Sequence, residues 1–556
     1  MNKTRALYKA FGSNLEMPRP NGEKKVKLYN RFGMIAFIGI MVPVSVLVGY
    51  ITYIVTNLIF VFGGDSYGLV SELNLISAFA MIFGMALMFS VLFFSSDLQF
   101  LTALPLSPAT LYRARFWHTF KAENVMTSNV LFAIYIGYYV AAIKHRGIGD
   151  ALNPIGLIAA LTGFFGSLLI PLIYCSILAM LLMLALRRFN RSDIYYNSSL
   201  LLFVAFTLMF CLSFRSYGRI SMTNYLDTLV GGNNSFNSIC NFLFPTNYLT
   251  TLTVQNHSVL PLVGSLLIIA MLYLLSVLVA HLTYRKGLFA AAVISNKKTS
   301  RRSSSACRSH RLLPALIMKE TRVLMRTMTY RMNCVYANLL WPIAALILAV
   351  EAPRFEPVKE FIYKLQNGDK AGAVVIFAIF AGMAFIASGL NSIASTSFTR
   401  EGVHIDMLKY LPAPIGKQIL AKVSTAVLFT FIPEVIAVMI IAIRIGNAKM
   451  LPLYIPVSFV CILTATIIGV VMDSVSPYTV WSDELSALRG NLNCFFNLAA
   501  EMLAALLIGL LSYVIYKLSG SDVITITTAT LLLLIACAGC IFVGLPKARS
   551  NIGSLK

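Results

Sequence analysis

Residues 259–284 read VLPLVGSLLIIAMLYLLSVLVAHLTY, a run with no Asp, Glu, Lys or Arg in it. About 20 apolar residues in a helix cross the hydrocarbon core of a bilayer, and a helix satisfies its own backbone polar groups on the way. The run therefore predicts a membrane-crossing helix. The same reading carried outward finds further stretches near 34–62, 73–95, 122–143, 155–186 and 195–214 before it, and 334–351, 372–394, 419–443, 452–473, 493–516 and 522–545 after it. The expected fold class is an all-α polytopic membrane protein with about twelve spans in two pseudo-symmetric six-helix halves. Composition agrees: 58% of the 556 residues are hydrophobic, 12% are charged and the mean hydropathy is +0.78, whereas soluble domains carry about a quarter charged residues.

The net charge of +23 would suggest nucleic acid in a soluble protein. In a membrane protein the cytosolic loops claim basic residues first. With both termini inside, those loops hold most of the 45 Lys and Arg, chiefly in the N-terminal arm, at Arg187, Arg188 and Arg191, and between 285 and 331; no nucleic-acid partner is expected. The basic, polar first 31 residues lack the pattern of a cleaved signal peptide. Cysteines fall mostly inside apolar runs, with Cys240 alone a good candidate for the outer side, so no external disulfide is expected.

The polar, basic stretch NKKTSRRSSSACRSH (296–310) reads as a linker between the halves. After it, RLLPALIMKETRVLMRTMTYR places Leu313, Ile317, Leu324 and Met328 at helical spacing against Lys319, Arg322 and Arg326, which predicts an amphipathic helix on the inner membrane surface. A shorter counterpart sets Leu7, Phe11 and Leu15 against Lys3, Arg5 and Lys9. The resulting layout is a cytosolic arm with interfacial helix (1–31), a first membrane half (32–284), a linker with the second interfacial helix (285–333), a second half (334–546) and a cytosolic tail (547–556).

Between the second and third spans of each half the chain repeats itself. LTALPLSPATLYRAR (101–115) and LKYLPAPIGKQILAK (408–422) match Leu101, Leu104, Pro105, Ala114 and Arg115 with Leu408, Leu411, Pro412, Ala421 and Lys422 at a constant offset of 307. Pro105 and Pro412 end one helical segment and start another, because proline lacks an N–H and fixes φ. Ser107 and Pro108, or Pro414 and Gly416, can then begin a short helix along the membrane surface. Such an elbow is a cytosolic knob that a soluble partner can push.

The stretches SSDLQFLTALPLSPATLYRARF (95–116) and FTREGVHIDMLKYLPAPIGKQILAK (398–422) resemble the coupling regions of ABC-2 type exporter permeases, and KETRVLMRTMTYR (319–331) is similar to the interfacial helix that opens each half in that family. The resemblance implies a transmembrane subunit that exports a substrate, with two copies of a soluble ABC ATPase docked on the elbows and ATP with Mg²⁺ bound there rather than in this chain. It implies contact roles for Asp97, Leu101, Leu104, Pro105, Pro108, Tyr112, Arg113 and Arg115 in the first loop, and for Glu401, His404, Asp406, Leu411, Pro412, Pro414 and Lys417 in the second. The basic members would pair with ATPase carboxylates or simply serve inside positivity. A bacterial cytoplasmic membrane is implied too, as is a hydrophobic or amphipathic substrate such as a peptide. Fusion of two halves departs from the family's usual one half per chain, and the halves differ: a long outer loop is expected at 215–258, matched only by KLSGSD in the second half, which instead carries EAPRFEPVKEFIYKLQNGDKAG after its first span.

No G-x-x-x-x-G-K-[ST] loop occurs, and LSGSD at 518–522 falls in an outer turn, so the chain has no ATPase motif of its own. No metal or hydrolase motif stands out among the six histidines, and an enzyme active site is not expected. Two carboxylates fall inside spans: Glu434, after Pro433, and Glu501. Such groups line a translocation path or sit hydrogen-bonded in the packing. A secondary transporter of twelve spans, a scramblase and an assembly scaffold remain as alternatives to the exporter.

Overall fold

The computed structural model of the chain describes residues 48–61, 67–93, 105–186, 235–300, 311–351, 356–366, 368–479, 484–489 and 491–554, with a few isolated residues beside them. All the regular structure among these is helical. Two compact units divide the described residues between 303 and 304. Among the described residues eight helices are long and apolar enough to cross a membrane, and Val48–Val61 and Leu69–Ile82 are shorter apolar helical stretches. The N-terminal surface helix and the span near 195–214 lie almost wholly outside the described residues.

The first unit contains α1 (Val48–Val61), α2 (Tyr67–Phe93), α3 (Pro108–Arg146), α4 (Pro154–Leu186), α5 (Ser235–Leu243), α6 (Pro245–Asn256) and α7 (Val259–Ser300). Helix α4 is central and packs against α2, α6 and α7. Its most apolar window is 61% buried, whereas that of α7 is 17% buried. Leu260, Leu267, Leu274, Leu278 and Leu282 accordingly stand exposed along α7, a surface suited to lipid tails and not to water. Leu73, Leu131, Ile134, Tyr138, Ala159 and Leu168 form the core between α2, α3 and α4.

Three expectations for this unit need correction. The helix after the first elbow is not a short surface piece: α3 runs unbroken for 39 residues from Pro108, because the Ser107 side chain caps it and no proline interrupts it before Arg146. Helix α7 continues past Tyr284 to Ser300, so the first part of the expected linker is helix; the sequence GLFAAAVIS is rich in strong helix formers. Within the expected outer loop, 235–256 folds as the consecutive helices α5 and α6, and Thr246, Asn247, Thr250, Thr251 and Thr253 of α6 are buried. Their polarity hid them from a hydropathy reading. Asn74 of α2 donates to Asn241 at 2.9 Å and accepts from Asn247 at 3.1 Å, and Gly163 of α4 leaves the space that Thr250 fills.

The second unit contains α8 (Leu312–Arg326), α9 (Leu340–Glu351), α10 (Glu356–Gln366), α11 (Lys370–Leu390), α12 (Ile415–Ile445), α13 (Leu451–Val475), α14 (Leu492–Ser519), α15 (Asp522–Gly539) and α16 (Leu545–Ser554). Helix α11 packs against α13 and α14, α12 against α9 and α13, and α8 lies on α12. Phe377, Phe380, Ala384, Tyr454, Cys461, Ala465 and Val470 belong to the core. Between α8 and α9 the backbone passes through a π-helical turn (Arg331–Val335) and a 3₁₀ turn (Tyr336–Leu339). The expected outer loop after the first span of this half includes the helix α10, and Asp369 caps α11 by accepting from the Ala371 amide at 3.0 Å. The expected tail at 547–556 is mostly α16, which buries Ala548 and Ile552 against α12 and α13.

Candidate functional site

The second elbow begins where α11 ends. The sequence NSIASTSFTREGVH (391–404) is crowded with Ser and Thr, whose side chains offer the backbone alternatives to helix. Ser392 at φ 53° and Gly402 at φ 58° are left-handed and break the helical path. A single helical turn, Met407–Tyr410, follows, then extended Leu411 and the Pro412-Ala413-Pro414 corner from which α12 starts.

Three polar anchors hold this turn. Asp473, fully buried near the end of α13, accepts from the amides of Phe398 (2.6 Å) and Thr399 (3.0 Å), from the Thr399 hydroxyl (2.6 Å) and from the Asn493 side chain (3.2 Å). Gln418 donates to the carbonyls of Leu408 (2.8 Å) and Ala413 (2.9 Å) and so closes the corner. The position 307 residues earlier is Leu111, which has no amide to do this.

The third anchor is ionic. Lys422 Nζ meets Glu401 at 2.7 Å, Glu320 at 2.9 Å and the Ser397 carbonyl at 2.8 Å, so all three ammonium protons have acceptors. Lys319 reaches the same Glu401 oxygen at 2.6 Å and Glu320 at 3.3 Å. Burial alone would push the Glu401 carboxyl up, but the Lys422 and Lys319 ammoniums outweigh it and hold the group at about 2. For Lys319 burial works downward, and Glu320 and Glu401 more than offset it, so its ammonium is held above the usual lysine value.

What the elbow shows to solvent is different in kind. Tyr410 is 86% exposed and Val403 70%, with Met407 and Leu411 exposed beside them. His404, Asp406, Pro412, Pro414 and Lys417 are exposed as well. Glu401 is instead taken up by the ion cluster, and its side chain is 18% exposed.

In the first elbow, Asp97, Leu101 and Leu104 lie outside the described residues. Pro105 is exposed, and Ser107 caps α3 through the Thr110 amide at 3.2 Å with Pro108 as first helical residue. Arg113 is exposed, but Tyr112 and Arg115 are buried. Tyr112 bonds Ser176 at 2.8 Å, and Arg115 donates to the carbonyls of Val91 (2.8 Å) and Leu92 (3.0 Å) at the end of α2. These two side chains brace α3 against α4 and α2 and present nothing to a soluble partner. Arg115 and Lys422 thus share a task at matched positions: each reaches from the start of a long helix to carbonyls at or just beyond the end of the preceding one.

Glu434 and Glu501 are both fully buried. Neither oxygen of Glu434 has a hydrogen-bond partner, and Pro433 interrupts the helix ladder beside it. Glu501 stands one turn from Asn497 on α14, in space that Gly389 of α11 provides. Asp473, Gln418 and Glu320 were missed in reading the sequence; the signal available for Asp473 was a carboxylate at the C-terminal end of an apolar helix.

Among the described residues no group of three or more His, Cys, Asp and Glu is placed to hold a metal ion. No family model, curated protein or solved structure matches this chain.

Proposed function

We propose that this chain is the permease subunit of an ATP-driven exporter of the ABC-2 type, with twelve spans in two fused halves and both termini in the cytosol, in a bacterial cytoplasmic membrane. Two copies of a soluble ATPase dock on the two elbows and hydrolyse ATP with Mg²⁺. The substrate is hydrophobic or amphipathic, a peptide first, and Glu434 and Glu501 face its path. The observation that carries this reading is the second elbow: an exposed tip of Val403, Met407, Tyr410 and Leu411 on a turn anchored from beneath by Asp473, Gln418 and Lys422. A rigid apolar tip on a polar base suits transmission of force from a docked partner.

The test begins with whether a neighbouring reading frame encodes a soluble phosphate-loop protein; that protein is then co-expressed and co-purified with this chain, and uptake of a labelled amphipathic peptide into inverted vesicles is measured with and without ATP. ATP-dependent uptake is expected, and Tyr410→Ala is expected to weaken co-purification without changing the melting temperature. Uptake that needs no ATP would favour the second reading, a secondary transporter, for which the unpaired intramembrane carboxyl of Glu434 is the supporting observation.

A further inference from the structure

The ion cluster under the second elbow joins three elements that are distant in sequence: α8 through Lys319 and Glu320, the elbow through Glu401 and Ser397, and α12 through Lys422. Resting on the permease reading above, we propose that Lys422 is a positioning residue that locks the interfacial helix α8 to the elbow, so that a displacement of the elbow reaches α9 as well as the two spans it joins.

The argument starts from the ammonium. Its side chain is 1% exposed, and its three acceptors come from α8 and from the elbow, so the two cannot separate without stranding a charge in a dry site. Lys319 adds a second cross-link, since its contact with Glu401 runs from α8 to the elbow while its contact with Glu320 stays on α8. Two lysines and two glutamates balance; Lys422 and Glu320 are buried, and Lys319, 38% exposed, closes the cluster toward solvent.

The connection from α8 to α9 is built to bend. Thr327, extended at φ −82° and ψ 119°, ends α8; after a short helical turn, Met328–Tyr330, the backbone changes from α to π to 3₁₀ geometry across Arg331–Leu339, and such changes mark hinges. The last turn of the hinge is tied down: Asn391, at the end of α11, donates to Asn338 at 3.2 Å and to Thr430 of α12 at 2.8 Å. Helix α9 then runs against α12. A lever clamped at α8, with its pivot across 327–339, delivers elbow movement to α9.

Hydrogen exchange on the purified chain tests the clamp without any ATPase. Lys422→Met removes the hub, and Glu320→Gln, which keeps its shape, weakens the same link from α8 if the methionine variant does not fold. In either variant the α8 amides are expected to exchange about tenfold faster or more, while those of α14 stay within about twofold of wild type. Unchanged α8 protection overturns the proposal. So does equal acceleration of α8 and α14, which would make the cluster a support for the whole unit and not a clamp. In the complex, Glu320→Gln should leave ATPase co-purification intact and lower the substrate moved per ATP severalfold; an unaltered ratio overturns the lever. If the wild-type chain fails to bind an ATPase, the permease reading falls while the exchange result still decides the clamp.

Discussion

Replacing Asp473 by alanine tests how the second elbow is held. The wild-type carboxylate accepts four hydrogen bonds, two of them from the backbone amides of Phe398 and Thr399. Alanine leaves those two amides, the Thr399 hydroxyl and the Asn493 amide facing a gap. A buried donor left without an acceptor costs about 1 to 3 kcal/mol. The Thr399 hydroxyl and the Asn493 amide can turn toward other acceptors, so the two fixed backbone groups dominate and the local cost is about 3 kcal/mol. At 1.4 kcal/mol per tenfold, exchange of the Phe398 and Thr399 amides should accelerate somewhat over a hundredfold, about 10²-fold as an order of magnitude. Asp473→Asn keeps an oxygen for the two amides but sets a donor against Asn493, so about a tenfold effect is expected. Exchange measured by mass spectrometry on the detergent-solubilised chain resolves the peptide that spans these residues. Wild-type rates there in Asp473→Ala would refute the anchoring role, whatever the variant did to melting.

Further outcomes follow from the same geometry. Because Glu401 is held at about 2, below the ordinary value of 4.5, its contribution to stability is complete above pH 4.5 and declines as pH falls toward 2; thermal melting should show no loss from this group between pH 7 and 5, and Glu401→Gln should flatten the decline below that. Gly389→Ala would place a Cβ 2.7 Å from the Glu501 carboxylate and 3.2 Å from the Leu498 Cα, and since backbone cannot give way cheaply, melting should report a loss of about 1 to 3 kcal/mol. Glu434→Gln should impair vesicle transport and leave ATPase assembly intact; unchanged transport removes Glu434 from the path.

The membrane class of this protein is written in its apolar runs, since no other solvent tolerates windows such as 259–284, and the elbow at 408–422 is visible as a proline corner because proline acts locally on its own backbone. The corner's attachments were not visible. Arg115 and Tyr112 read as surface residues of a basic loop, yet the long helix that Pro108 starts turns them inward, and helix continuity depends on what lies along the whole of 108–146. The helix pair α5–α6 escaped because hydropathy counts side chains and not the partners that satisfy them, and Asn74 and Gly163 meet it only in space. Lys422, Glu401, Glu320 and Lys319 are ordinary charges in the sequence, with Glu320 and Lys422 102 residues apart. Only tertiary packing brings them together and removes water from around Lys422 and Glu320, and that makes four common residues a single clamp.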